Sequence, residues 1–177
     1  MARILRRLPF GSRTIEFRDE IIRTRLDQII VWVSIDSPRS PSWNPVNPRF
    51  PAILDSGNSH ILLMTRQQAI VWTGFNPEYF EQQKTIRLGN LLIPQRRANL
   101  WLHPNRFGQR DEFSTLPPFL LNCPNGIVIC EDDNPQAPRL PLLGLRALVQ
   151  NRLILTIDGG RKHVHLRTAF PWWWPFE

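Results

Sequence analysis

The sequence has few lysines, few cysteines and no long apolar run, and each shortage narrows the class of protein. Of the 22 basic residues, two are lysines, Lys84 and Lys162, and the others are arginines. No apolar run reaches the roughly 18 residues of a transmembrane helix, so none is expected. The basic N-terminus MARILRRLPF has no apolar segment after it, which argues against a secretory signal and leads us to expect a cytoplasmic protein.

Two cysteines, Cys123 and Cys130, are too few for a disulfide scaffold, and we expect both to be reduced thiols. His163 and His165 lie on one face of an expected strand, as metal ligands would, but no third ligand stands at a suitable spacing. We therefore expect no metal and no cofactor. The nucleophile-elbow, phosphate-loop and dinucleotide motifs are also absent from the sequence.

The formal net charge of +7 first suggests an acidic partner such as nucleic acid. The arginines are spread along the chain, however, and acidic residues such as Glu16 and Asp27 are interleaved with them. The densest basic group in the sequence is Arg3, Arg6 and Arg7. The distribution argues against nucleic acid as the main partner and indicates a dispersed arginine surface.

The 177 residues fit a single domain, and 17 prolines against 9 glycines favour short strands joined by fixed turns. The expected fold class is all-β, a small barrel or sandwich with one or two short helices. We expect N-terminal strands in residues 1–27, the main domain in 28–168 and a tryptophan-rich tail in 169–177, packed in a core or an interface. The apolar patterns predict a three-stranded meander (12–18, 21–26, 29–36) and two strands around a Gly89-Asn90 turn (84–104). An irregular stretch (105–126), a strand (126–130) and a hairpin (152–168) are expected to follow. Short helices are expected after Thr65 and Gly144.

The segment that carries chemistry is PAILDSGNS, residues 51–59. Asp55 stands at the end of an apolar strand and opens a tight turn, Ser56 offers a hydroxyl, and Gly57 permits close approach to the backbone. On its own this pattern also fits a structural turn at a strand end.

A second segment follows about ninety residues later: Leu142, Leu143 and Gly144, then a short helix and the closing hairpin. The two segments, in this order and separation, resemble the retropepsin-like aspartic proteases over residues 28–168, in particular the single-domain cellular and bacterial members. The resemblance implies a closed retropepsin-like β-barrel and a homodimer, because one chain supplies one Asp-Ser-Gly and the chemistry needs two such aspartates. Neither Asp36 nor Asp158 completes the motif.

The resemblance also implies roles for the site residues. Asp55 is the expected catalytic carboxylate of an aspartic endopeptidase acting on polypeptide substrates. Ser56, Gly57 and Asn58 are expected to support its loop, and Leu142, Leu143 and Gly144 to pack beneath it. The chain departs from the family at Asn58, where a small alanine is usual, and it shows no glycine-rich cover hairpin; the stretches 73–84 and 104–115 are the candidates. The alternative is a catalytically inactive, protease-like module for dimerisation or peptide binding.

Overall fold

Short strands rich in Ile, Val, Leu and Trp account for most of the regular structure. The protein is described here by a computed structural model covering residues 2–40, 42–110 and 115–169. The tryptophan-rich tail therefore lies outside the described residues, apart from Ala169. The strands are β1 (Arg3–Pro9), β2 (Thr14–Phe17), β3 (Glu20–Arg23), β4 (Ile30–Asp36), β5 (Phe50–Asp55), β6 (Leu62–Thr65), β7 (Gln82–Leu88), β8 (Leu91–Arg96), β9 (Asn99–His103), β10 (Phe119–Leu121), β11 (Ile127–Cys130), β12 (Leu142–Gly144), β13 (Leu153–Asp158) and β14 (His163–Thr168).

Nine of these strands form one sheet, in the order β10-β9-β4-β5-β12-β6-β11-β8-β7. Its centre is mixed: β12 runs parallel to β5 and antiparallel to β6, and β11 runs parallel to β6. The mostly β class is thereby confirmed. A closed barrel is not found: within the described ranges the sheet ends at β10 on one side and at β7 on the other.

The expected N-terminal meander is wrong in its pairing. Strands β2 and β3 form a separate two-stranded sheet, whereas β4 pairs with β5 and β9 in the large sheet. Strand β1 joins the closing hairpin instead, giving a three-stranded sheet in the order β1-β14-β13. The alternating pattern identified the strands correctly, but pairing is decided by long-range packing that one strand's pattern does not contain.

The predicted turn at Gly89 and Asn90 is confirmed, but the strands of 84–104 are divided differently from the prediction. Strands β7 and β8 pair in antiparallel fashion around Gly89 and Asn90, and β9 is a further strand, so 84–104 contains parts of three strands rather than two. Gly89 has φ of +60°, which suits glycine at the first position of a two-residue hairpin turn. Pro94 lies within β8, and β10 lies in the stretch 105–126, which was expected to be irregular.

The two short helices begin where the sequence predicts. Helix α1 (Arg66–Gln68) is capped by Thr65: its side chain accepts from the Gln68 amide and the Gln68 side chain accepts from the Thr65 amide. A π-helical turn, Ala69–Thr73, follows directly. Helix α2 (Leu145–Gln150) starts immediately after Gly144.

The main core lies between the large sheet and the elements packed on it. All seven residues of β4 are buried, and Phe50 and Trp72 are 0% and 2% exposed. Phe17 packs edge-on against both Trp32 and Trp72, with ring centroids 5.9 and 5.1 Å apart, so the β2–β3 hairpin is anchored to the sheet through aromatic contacts.

Cys123 and Cys130 are both free thiols, as expected. Burial raises the pKa of Cys130 to about 11 and that of Cys123 to about 12, so both are protonated at neutral pH. No helix in the described ranges combines the length and apolar character needed to cross a membrane.

Candidate active site

Asp55 lies at the point where β5 leaves the core. The strand is buried at Phe50 and Ala52, Asp55 is half-buried, and Ser56 and Gly57 are exposed. A carboxylate at this position meets solvent on one side while its backbone is fixed by the sheet on the other. The sequence therefore brings an acid to the surface on a rigid support.

The turn after Asp55 is closed by the carboxylate itself. Its Oδ1 accepts a hydrogen bond from the Gly57 amide at 2.8 Å, and the Asn58 amide donates to the Asp55 carbonyl at 3.3 Å. A Cβ on Gly57 would lie 3.2 Å from the same Oδ1, so a larger residue there would press on the carboxylate. Within the described residues the hydrogen bond to the carboxylate engages Oδ1, which leaves Oδ2 for a water or a second acid.

Strand β12 supports this loop from the side. Leu142 pairs with Ile53, Leu143 with Leu54 and Gly144 with Asp55 in a parallel register. Leu143 is fully buried. The structure thus brings together Asp55 and the three residues that the sequence placed beneath it.

Gly144 allows the close approach between the loop and the start of α2. A Cβ at this position would lie 2.0 Å from the His60 carbonyl oxygen and 2.5 Å from that of Asn58. Both contacts are with backbone atoms, which cannot rotate away, so glycine is required here by space.

Asn58 ties the loop to the strand beneath it. Although the residue is 8% exposed, each part of its side-chain amide is used: Nδ2 donates to the Leu142 carbonyl at 3.2 Å, and Oδ1 accepts from the His60 amide at 3.1 Å. The Asn58 carbonyl accepts from the Leu145 amide at 3.0 Å. A small alanine could not make these bonds, so Asn58 is a bracing residue in this chain.

A groove of about 410 Å³ lies beside the turn. One wall is formed by residues 56–59 and the other by α2, where Leu145 and Val149 are 45% and 66% exposed. Leu145 and Val149 thus present apolar side chains to solvent beside the Asp55 loop. An apolar surface of this kind is poorly hydrated and favours contact with a ligand or partner.

His60 lies just beyond the loop, and its pKa is lowered by burial and by the nearby Arg146 guanidinium. The imidazole is therefore biased toward its neutral form next to the Asp55 loop. This residue stood alone in the sequence and carried no signal of proximity to α2.

The two other aspartates considered from the sequence have structural partners. Asp36 is 4% exposed and accepts from the Ser37 amide and the Ser40 hydroxyl. Asp158 accepts from the Arg161 amide at 2.9 Å in the hairpin turn. Turn and loop geometry account for both.

Ser34 and His103 form a pair that sequence reasoning missed, because they are 69 residues apart and meet across β4 and β9. Ser34 Oγ and His103 Nε2 are 2.9 Å apart. The two residues are 0% and 3% exposed, so no substrate reaches them. Burial, with a smaller contribution from Arg49, lowers the pKa of His103 to about 3, which identifies a neutral core histidine.

No cluster of three His, Cys, Asp or Glu side chains suited to a metal ion occurs within the described ranges. Comparison of the chain with protein families, with curated proteins and with solved structures finds no match. The site must therefore be interpreted from its own geometry.

Proposed function

We propose that the chain is an aspartic endopeptidase that hydrolyses peptide bonds through a water held between the Asp55 carboxylates of two copies. The supporting observation is the loop architecture: a half-buried acid at the surface closes its own turn, pairs across to Gly144 and is braced by Asn58. Such a support holds a carboxylate in one orientation, as catalysis requires. The retropepsin-like resemblance of the sequence supports the same reading.

The chemistry follows from placing two carboxylates within hydrogen-bonding range. Two negative charges that close repel strongly, so the pair shares one proton. The ionised member takes a proton from the bound water, whose oxygen attacks the peptide carbonyl. The protonated member donates to the carbonyl oxygen, and a proton is later transferred to the leaving amine.

The second carboxylate is proposed to come from a second copy of the chain. Strand β13 pairs with β14, and no described strand pairs with its other edge. Helix α2, which lines the groove, comes directly before β13 in the chain. An unpaired edge beside exposed apolar side chains is a common starting point for association.

The sequence of β13 is complementary to itself. A two-fold axis through Leu155, perpendicular to the sheet, preserves the faces of the two strands. Leu153 then meets the second copy's Ile157 on the core-facing side, and Ile154 meets Thr156 on the other. Arg152 stands opposite Asp158, so the pairing ends in opposite charges. The six-stranded sheet so formed defines the β13 seam, a name used below for this pairing.

The hairpin of β7 and β8 is the proposed cover over bound substrate. It replaces the stretches 73–84 and 104–115 that the sequence offered for this role. Leu91 and Leu92, next to the turn, are 50% and 69% exposed, and Gly89 lies against the side chain of Gln136 from the loop before β12. An apolar hairpin that closes over a bound peptide would exclude water from the reacting bond.

The test is cleavage of an unfolded protein substrate at mildly acidic pH by wild type and Asp55→Asn. The amide is the same size as the acid and leaves the turn intact, but it cannot share a proton. We expect loss of at least a thousandfold in rate, because general acid–base and nucleophile activation are lost together.

The matched control is Asp19→Asn, which removes an exposed carboxylate from the turn between β2 and β3 and should retain cleavage. Both variants are purified identically so that a contaminating protease would appear in each. Equal turnover by wild type and Asp55→Asn contradicts the catalytic proposal. A dimeric wild type that cleaves nothing but binds unfolded peptides favours the alternative, an inactive dimerisation or peptide-binding module.

A further inference from the structure

The fold gathers arginines that are dispersed in the sequence. Residues 2–11, 105–110 and 158–169 hold eight basic residues and one acidic residue. The remaining chain holds fourteen of each sign, so these three segments carry the whole formal charge of +7. The remainder includes Asp111 and Glu112, which follow the second segment and lie outside the described residues. We call the surface formed by the three segments the basic face.

Backbone pairing joins the first and third segments. Strand β1 lies beside β14, with Arg3 opposite Arg167 and Pro9 opposite His163. The Phe10 amide donates to the Lys162 carbonyl at 3.0 Å, which holds the hairpin turn against the end of β1. Residues 165 and 167 of β14 alternate with buried Val164 and Leu166, so they lie on the side away from the core.

The second segment is fastened to β1 by Asn105, which is 2% exposed. Its Oδ1 accepts from the Arg6 amide at 2.8 Å, and its Nδ2 donates to the Arg6 carbonyl at 3.1 Å. The Gly108 amide also donates to the Arg6 carbonyl, at 2.9 Å. A buried side chain with this many hydrogen bonds fixes the position of the loop, so the loop and β1 are held next to each other in the folded chain.

The aromatic ring of Phe107 lies among the arginine side chains of the basic face. The guanidinium carbons of Arg6 and Arg7 lie 5.5 and 5.3 Å from the centroid of the Phe107 ring, within cation–π range. Phe107 is nevertheless 54% exposed. An exposed phenyl ring with two guanidinium groups around it offers both stacking surfaces and phosphate donors.

We propose that the basic face binds single-stranded nucleic acid. Arginine pairs phosphate through two parallel hydrogen bonds and also stacks on bases, which lysine does not do. An unpaired base can stack on Phe107 while the Arg6 and Arg7 guanidinium groups beside the ring contact the backbone phosphates. A duplex keeps its bases stacked inside and cannot use the ring. The sequence analysis argued against nucleic acid because the arginines are spread along the chain. In the folded chain, backbone pairing brings the three basic segments together.

The proposal is independent of peptide cleavage, and its test uses binding alone. Fluorescence anisotropy of a labelled single-stranded RNA of about twenty nucleotides is measured with the full chain at several salt concentrations. We expect binding that weakens steeply with salt, because phosphate contacts release counterions. The double variant Arg6→Gln/Arg7→Gln should lower the slope of log affinity against log salt by about 1.4. Phe107→Ala should weaken single-strand binding about tenfold.

The matched control is Arg87→Gln/Arg139→Gln, which removes the same charge from exposed positions on β7 and in the loop before β12 and should leave affinity within about twofold. Circular dichroism checks that every variant is folded. Absence of binding at low salt overturns the proposal, and so does an equal loss in the control. Tighter binding to duplex DNA of the same length, or to vesicles containing phosphatidylserine, overturns the single-strand assignment.

Discussion

At the scale of single residues, the site depends on Gly144 more than its small size suggests. A Cβ on this residue meets two backbone carbonyls at distances that real contacts do not reach. We expect Gly144→Ala to lower the free energy of unfolding by about 2–3 kcal/mol, since the loop and α2 must separate. Urea denaturation measures the loss.

Gly159 provides the comparison for this substitution. A Cβ there has no neighbour within 4 Å, so Gly159→Ala should change the free energy of unfolding by less than about 0.5 kcal/mol. If Gly144→Ala were as mild as Gly159→Ala, the close approach of β12 to the Asp55 loop would be disproved.

The lowered pKa of His103 predicts that the free energy of unfolding falls in acid. Its pKa is about 3 in the folded chain and about 6.5 when unfolded, so the unfolded state binds the proton more readily between these values. The stability contributed by neutral His103 is complete above about pH 6.5 and is lost as the pH falls toward 3. The total is on the order of 5 kcal/mol.

The variant His103→Gln tests this linkage, because its amide can bond to Ser34 but does not titrate. Between pH 6.5 and 4 we expect its free energy of unfolding to fall less steeply than that of wild type, as measured by denaturant titration at each pH. Parallel curves for the two proteins would assign the acid sensitivity to other groups. Cleavage assays at mildly acidic pH lie within this range, so circular dichroism at the assay pH must show that the protein is still folded.

At the scale of elements, local patterns predicted which segments form strands and helices, and long-range pairing decided how they assemble. Thr65 as an N-cap, the short helix after Gly144 and the closing hairpin are encoded within a few residues of sequence, and all three are confirmed. The partners of β1 and β4 are not, because the residues they meet lie far away in the chain.

The candidate site was predictable to the same extent. The acid at a strand end was visible in the segment around Asp55, as was the small residue at 144. The bracing role of Asn58 was not, because it depends on the Leu142 carbonyl, 84 residues away. The same reason hid the Ser34–His103 pair and the assembly of the basic face, since each joins segments that only the folded chain brings together.

The β13 seam gives the element-scale prediction. Ile157 is 53% exposed and would pair with Leu153 of a second copy. We expect Ile157→Lys to convert a dimer into a folded monomer, because each lysine would lose its hydration opposite the second copy's Leu153 without gaining a partner. Sedimentation velocity at micromolar concentration measures the change.

Ile21→Lys is the control for the seam, since Ile21 is 65% exposed on the β2–β3 hairpin. It should leave the dimer intact. A dimer that persists in Ile157→Lys would place the contact elsewhere, and a strictly monomeric wild type would remove the source of the second Asp55.

At the scale of the whole molecule, a site shared between two copies behaves differently from a site within one chain. Suppose a fixed amount of wild type is mixed with an equal amount of Asp55→Asn and the subunits exchange. About a quarter of the dimers then hold two wild-type chains, so total cleavage should fall by about half. Adding more of the variant should lower it further. A site contained in one chain predicts no change.

The double variant Asp55→Asn/Ile157→Lys distinguishes inhibition through mixed dimers from effects that any added variant chain would have. It lacks the same carboxylate but cannot form the β13 seam, so it should leave the cleavage rate of wild type unchanged. Inhibition by Asp55→Asn alone therefore ties three features of this molecule together: the half-buried acid at the end of β5, the edge of β13 that no described strand pairs with, and the presence of one Asp-Ser-Gly per chain. Equal inhibition by both variants would show competition for substrate, and would separate the seam from the active site.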